Sequence, residues 1–323
     1  MSLLKRKKSS QNETKPEIIY PNEFRRQLCT QAQLAQELIS AHLKGNKILL
    51  DKLKIKTDKL RQIYIVGNSS YYPLAIWASH NFEVICDVHS SPYLLSELEC
   101  SEVMLDKKTL VILLCSHEEA KGTLERVKKA KAEYLFIDDH IDKESKLKIP
   151  IGEFTLKYIM LSLIALYIGR KNQILTELYY KLAINSLKNL RANINDIMKN
   201  ESYILSIADG MYAKDMIITG RNVDYATAMY IADLFSYALG CDVRSIQSGE
   251  LERIINKSNV IAIASNDNFY SVLPDENYSV KITPLSCSDS SNSICFQGTL
   301  PLFNPLLCAI IGQIIAYGII YNT

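Results

Sequence analysis

The sequence is poor in the residues that announce metal, redox or nucleic-acid chemistry. Only five histidines and one tryptophan occur in 323 residues, and no His, Cys, Asp and Glu set has metal-ligand spacing, so no metal is expected. The GxGxxG spacing of a dinucleotide site is missing after both candidate strand–turn segments, which sets aside a Rossmann dehydrogenase and leaves no cofactor expected. With 12 Gly and 9 Pro the chain is neither collagen-like nor low in complexity. Charge of one sign is lacking too: 37 Lys+Arg face 35 Asp+Glu, a net +2, so no overall field draws the protein to nucleic acid or a membrane. The 19 Tyr form no interleaved basic–aromatic stripe, which argues against single-stranded nucleic acid. Eight cysteines occur without a CxxC, and Cys86, Cys115, Cys295 and Cys308 lie in or beside apolar runs. They read as reduced thiols of a cytoplasmic protein.

Long hydrophobic runs are equally scarce. Ile159 to Ile168 is too short to span a bilayer. Leu300 to Thr323 carries no charge, but Asn304-Pro305 interrupts it and Gln313 lies within it. It is expected to be a buried core helix, and no membrane association is expected. The basic block Lys5-Arg6-Lys7-Lys8 is followed by no apolar signal-peptide region, and residues 1–20 read as a disordered tail.

What the chain does have is a repeat. Ile63-Tyr64-Ile65-Val66-Gly67 and Met216-Ile217-Ile218-Thr219-Gly220 are apolar, β-branched runs ending in Gly, the pattern of buried strands feeding a tight turn. Each is followed by a polar turn, a Tyr, a helical stretch, and then the same tripeptide, Cys86-Asp87-Val88 or Cys241-Asp242-Val243. Further strands are expected at Leu110 to Cys115 and Val260 to Ala264, and Phe154 to Asn200 has helical periodicity. This predicts an α/β protein of two doubly wound parallel-sheet domains (three-layer αβα), each of about five strands. The first covers 21–155, linking helices cover 156–200, and the second covers 201–323. In such sheets ligands sit at the carboxyl ends of the strands, beside helix N-termini. The candidate loops are therefore Gly67-Asn68-Ser69-Ser70-Tyr71 and Gly220-Arg221-Asn222-Val223-Asp224-Tyr225.

Those two loops carry a family resemblance. Gly220 to Ala228 resembles the GRGxxYATA segment of the sugar isomerase (SIS) domain, and Ser248-Gly249-Glu250-Leu251 resembles its GEL. Gly67 to Tyr71 resembles GTSY, and Pro305 to Tyr317 is similar to the closing PLQLLAY helix. The arrangement is that of the tandem isomerase half of glucosamine-6-phosphate synthase and of the fructosamine-phosphate deglycases. The resemblance implies two SIS domains, a homodimer and a sugar-phosphate ligand. It places that ligand over Gly67, Asn68, Ser69, Ser70, Ser116 and His117, with Glu119 at the rim. Arg221, Tyr225 and Glu250 mark the weaker second-domain loop with Gly220.

The same resemblance exposes departures. The family's SQSGET phosphate segment reads Cys115-Ser116-His117-Glu118-Glu119-Ala120, and a Glu in place of Gly there repels a phosphate dianion. The two glutamates of EGALKLKE become Tyr230 and Tyr237, whose ordinary pKa of about 10 makes them poor bases. KHGP becomes Glu252-Arg253-Ile254-Ile255, without its ring-opening His, and neither a glutaminase domain nor the Lys-bearing tail is expected. Two functions stay open. One is a catalytically degenerate protein that binds a carbohydrate derivative. The other is an active phosphosugar isomerase, aminotransferase-like or deglycase enzyme using His117, Glu119, Asp233 or Glu250.

Overall fold

The computed structural model describes residues 21–50, 56–138, 153–208, 216–253, 259–266, 279–287 and 293–322. The tail assigned to residues 1–20 lies outside them. Helix α1 (Pro21–His42) leads into a hairpin, β1 (Leu43–Lys44) and β2 (Lys47–Ile48), turned at Gly45. The first sheet follows: β3 (Gln62–Gly67), α2 (Tyr72–Cys86), β4 (His89–Leu94), α3 (Leu95–Cys100), β5 (Thr109–Leu113), α4 (Lys121–Ala130) and β6 (Glu133–Phe136). Three helices come next, α5 (Phe154–Lys171), α6 (Glu177–Lys199) and α7 (Glu201–Ala208). The second sheet then runs through β7 (Met216–Gly220), α8 (Val223–Leu239), β8 (Arg244–Gln247), β9 (Asn259–Ile263), β10 (Ser279–Pro284) and β11 (Ser293–Phe296), and α9 (Asn304–Asn322) closes the chain.

Both sheets are parallel, in the orders β4-β3-β5-β6 and β11-β10-β9-β7-β8. The expected five strands are present in the second sheet. The first shows four among the described residues.

Alternation along β3 sorts its side chains by face. Ile63 and Ile65 enter one large core, whereas Tyr64 and Val66 pack with Leu98, Leu124 and Val127 beneath α3 and α4. The large core is continuous from Ile63 of the first sheet to Ile218 and Ile261 of the second, through α2, α5, α8 and α9. The helical pattern from Phe154 to Asn200 resolves into the pair α5 and α6. In α5 every side chain from Thr155 to Ile168 is buried, as a helix apolar on all sides must be. In α6 only one stripe is buried, Tyr180, Ala183, Ile184, Leu187, Leu190, Ile194 and Ile197, and Thr176 caps its start by accepting from Tyr179 N–H at 3.2 Å. The uncharged C-terminal segment is the buried helix α9, and no helix among the described residues is long and apolar enough to cross a membrane.

The repeated Cys-Asp-Val tripeptide is equivalent on its strand side only. Val88 and Val243 are both buried one residue before β4 and β8. On the helix side α8 is longer, 17 residues against 15. Asp87 therefore takes the left-handed cap of α2 (φ 52°), whereas Gly240 takes that of α8 (φ 63°). Cys86 is buried as a result, and Cys241 is exposed.

Candidate functional site

The carboxyl edge of the first sheet is built by two loops tied together. Gly67 ends β3 where the chain folds back so closely that a Cβ there would lie 2.8 Å from the Tyr71 carbonyl carbon. Asn68 fixes the turn, its Oδ1 accepting from Tyr71 N–H at 3.2 Å. Its Nδ2 donates to Glu119 Oε1 at 3.2 Å, and Glu119 Oε2 accepts from both the N–H and the hydroxyl of Ser116 at 2.9 Å each. Burial works against ionisation of Glu119, but the donors of Ser116 and Asn68, aided by Lys157, outweigh it and hold the carboxyl below its ordinary range. The donors after β5 therefore already serve an internal carboxylate.

Lys157, from the first turn of α5, is the buried cation at this edge. Its Nζ donates to Leu114 O at 3.2 Å and to Asp138 Oδ1 at 3.4 Å, and lies 3.9 Å from the centre of the Tyr71 ring. The neighbours of Ser116 offer little. Cys115 is buried, its thiol pushed up to about 12 by desolvation and by Glu119. His117 packs edge-on against Phe136, with ring centres 5.5 Å apart, and Ala120 is fully buried.

A cavity of about 700 Å³ opens beside these loops, between the first sheet's turn and α8. Ser69, Ser70 and Tyr71 form one wall; Tyr230, Asp233 and Tyr237 of α8 form another. Glu153 and Phe154 at the start of α5, Gln27 and Gln31 of α1, and Gln313 of α9 complete it. Phe154 stacks on Tyr230 with ring centres 3.7 Å apart, and Gln313 Nε2 donates to the Tyr230 hydroxyl at 2.8 Å. Burial pushes the Tyr230 hydroxyl well above its ordinary pKa. Asp233 is exposed as a residue, yet its carboxyl stands in the concave wall, where loss of water raises its pKa. Burial raises Glu153 too, partly offset by Arg26. Gln31 is 3% exposed; its Oε1 accepts from the Thr155 hydroxyl at 3.0 Å, while its Nε2 has no partner among the described residues.

The second-sheet loop is differently occupied. A Cβ on Gly220 would lie 2.3 Å from the Asp224 carbonyl. Asp224 is buried and accepts from Ser265 N–H at 3.0 Å and from the Ser265 hydroxyl. Ser265 O accepts from Asn304 Nδ2 at 3.0 Å, and Asn304 Oδ1 accepts from Thr299 N–H at 2.7 Å. This chain of bonds clasps the start of α8 to the end of β9 and to α9. Arg221 is exposed, Tyr225 half-buried, and Glu250 exposed on the short helical turn Ser248–Arg253.

Of the residues singled out in the sequence, Ser69, Ser70 and Asp233 line the cavity together. Gly67, Asn68, Ser116 and Glu119 form the adjoining tied loops, and His117, next to Ser116, packs on Phe136. Gly220, Arg221, Tyr225 and Glu250 belong to the other edge. The cation acting on Glu119 is Lys157, which the sequence did not single out. Sequence reasoning also missed Glu153, Gln31 and Gln313. The available signals were polar residues inside apolar helical stretches: Lys157 heads the α5 run and Gln313 interrupts α9.

Comparison with known proteins follows the same lines. No protein-family model matches the chain. Glutamine–fructose-6-phosphate aminotransferase (isomerizing) of Caldanaerobacter subterraneus subsp. tengcongensis is 22% identical over 257 residues, 71% of this chain and 42% of that protein. The Francisella tularensis enzyme of the same name is 22% identical over 277 residues, 77% of this chain and 45% of that protein. The chain thus spans less than half the length of these relatives. Among solved structures, the C-terminal domain of the Francisella tularensis aminotransferase superposes with a TM-score of 0.79 at 18% identity, covering 92% of this chain and 95% of that one. Glucosamine-6-phosphate deaminase of Thermotoga maritima gives a TM-score of 0.61 at 13% identity, covering 93% and 94%. In fold, the chain resembles the SIS-domain isomerase half of glutamine–fructose-6-phosphate aminotransferase.

Proposed function

We propose that this protein binds a carbohydrate derivative in the cavity between the Ser69–Tyr71 turn and α8, and does not turn it over. The observation that carries the reading is the wall of α8. Where the resemblance implies glutamate bases, the cavity presents Tyr230 and Tyr237, and the Tyr230 hydroxyl is held by Gln313 and raised in pKa by burial. A phenol whose pKa is raised by burial is a poor base for moving a proton between adjacent sugar carbons at neutral pH. It can stack on and hydrogen-bond a bound sugar.

The proposal extends to organisation. Residues 21–155 and 201–323 are read as two SIS domains produced by duplication, with 156–200 linking them. The family resemblance implies a homodimer, which light scattering of the purified chain tests. The described cysteines are free, which fits a reducing compartment such as the cytoplasm.

A second reading has its own observation. Glu153 and Asp233 share the cavity, both with raised pKa values, and such carboxyls are candidates for acid–base work. One experiment separates the two. The protein is mixed with glucosamine, glucosamine 6-phosphate or fructose 6-phosphate, and melting temperature and product are followed together. A rise in melting temperature without product supports the binder, since a ligand selective for the native state stabilises it by mass action. Product formation that is lost in Asp233→Asn supports the enzyme.

A further inference from the structure

Resting on the cavity as the binding site, we infer that its ligand is a polyhydroxylated primary amine without a phosphate, such as a free amino sugar.

Phosphate first. A phosphate dianion needs several unengaged donors or a cation at short range. The Ser116 N–H and hydroxyl after β5, and one amide N–H of Asn68 after β3, are already given to Glu119. The flanking positions Cys115 and Ala120 are buried and lack hydroxyls. Lys157 is itself buried, engaged with Leu114 O and Asp138 and covered by the Tyr71 ring. A phosphate placed here would meet a second anion instead of a donor set.

The cavity next. Among the described residues, no Lys or Arg lines it, whereas Glu153 and Asp233 both do. Arg26, which acts on Glu153 through its charge, points to solvent and pairs weakly with Glu23 at 3.6 Å. An ammonium group restores part of what burial costs each carboxylate, and a phosphate adds to it. The remaining polar lining suits hydroxyls: Ser69, Ser70, Gln27 and Gln31, whose buried Nε2 has no partner among the described residues. A buried amide donor without a partner is rare in folded proteins, and a sugar oxygen supplies one once the Gln31 amide turns toward the cavity. The stacked Phe154–Tyr230 pair offers an apolar face for the ring carbons.

The test is calorimetric titration of the full chain at pH 7 with glucosamine, glucose, N-acetylglucosamine and glucosamine 6-phosphate. Glucosamine is expected to bind about tenfold or more tightly than each of the others. Glu153→Gln and Asp233→Asn should each weaken glucosamine about tenfold and leave glucose unchanged. Gln31→Leu should weaken glucosamine and glucose alike, with folding of each variant checked by its melting curve. Glucosamine 6-phosphate binding as tightly as glucosamine, or glucosamine no tighter than glucose, overturns the inference while leaving the cavity as a sugar site. Absence of binding by all four overturns both.

Discussion

The two strand–turn–helix units begin with nearly the same design and end with opposite contents. In each, a β-strand stops at a glycine packed under the following helix, Gly67 beneath Tyr71 and Gly220 beneath Asp224. After Gly67 the chain offers Ser69 and Ser70, both exposed, and the turn borders a cavity. After Gly220 it offers Asp224, which turns inward and binds Ser265. That carboxylate takes up the backbone and hydroxyl donors of Ser265 at the neighbouring strand end. Within one chain, the same strand–turn–helix design thus serves as a structural clasp at one sheet edge and as one wall of a cavity at the other.

That contrast can be broken by mutation, starting with the glycines. Gly220→Ala should cost about 3 kcal/mol in urea denaturation and Gly67→Ala about 1–2 kcal/mol, because the Gly220 Cβ would meet backbone at 2.3 Å and the Gly67 Cβ at 2.8 Å. Asp224→Ala should cost roughly 2–3 kcal/mol, since it leaves the buried Ser265 N–H and hydroxyl without their acceptor. Its sugar affinity should stay at the wild-type value. The Ser69→Ala, Ser70→Ala double variant should do the reverse, changing stability by less than about 0.5 kcal/mol while weakening the ligand.

Asn222 sharpens the comparison further. It sits at φ 53° and ψ −120°, where the resembling GRGxxY pattern carries a glycine. Asn222→Gly is therefore expected to raise stability by about 1 kcal/mol.

The smallest effects are electrostatic and separate the tied loops from the cavity. Glu119 has a depressed pKa in the fold, so its contribution is present above the unfolded value near 4.5 and is lost as pH falls through the folded value. Glu119→Gln should lower stability at pH 7 and flatten that acid limb. Glu153 and Asp233 are raised, so their contribution is present at low pH and lost as pH rises through the folded values. Glu153→Gln and Asp233→Asn should accordingly raise the melting temperature slightly at pH 7. Loss of stability in both would show that these carboxylates are paired and do not face an open cavity.

What the sequence made legible was whatever depends on local pattern. The runs at Ile63–Gly67 and Met216–Gly220 are strands because β-branched apolar residues end there at a glycine. The C-terminal segment is a core helix because it is apolar on every face. The candidate wall formed by α8 was visible only through the resemblance, which aligned Tyr230 and Tyr237 with glutamates. Lys157 and Gln313 were visible only as polar residues in apolar helical stretches, and Glu153 and Gln31 not at all, since each reaches the first sheet's edge or the cavity through packing of α1, α5 and α9 across large sequence separations. No periodicity within one helix reports which other helix end it will meet. The resemblance also stressed phosphate, and only the hydrogen bonds of Glu119 show which donors at that turn are already committed.

The most direct test is a crystal structure of the full chain grown with glucosamine. The account predicts a sugar between the Ser69–Tyr71 turn and α8, with its amine within hydrogen-bond distance of Glu153 or Asp233 and a ring oxygen on Gln31. A sugar seated instead on the Ser116–Glu119 turn, or on the Gly220–Tyr225 loop after displacement of Asp224, would contradict it.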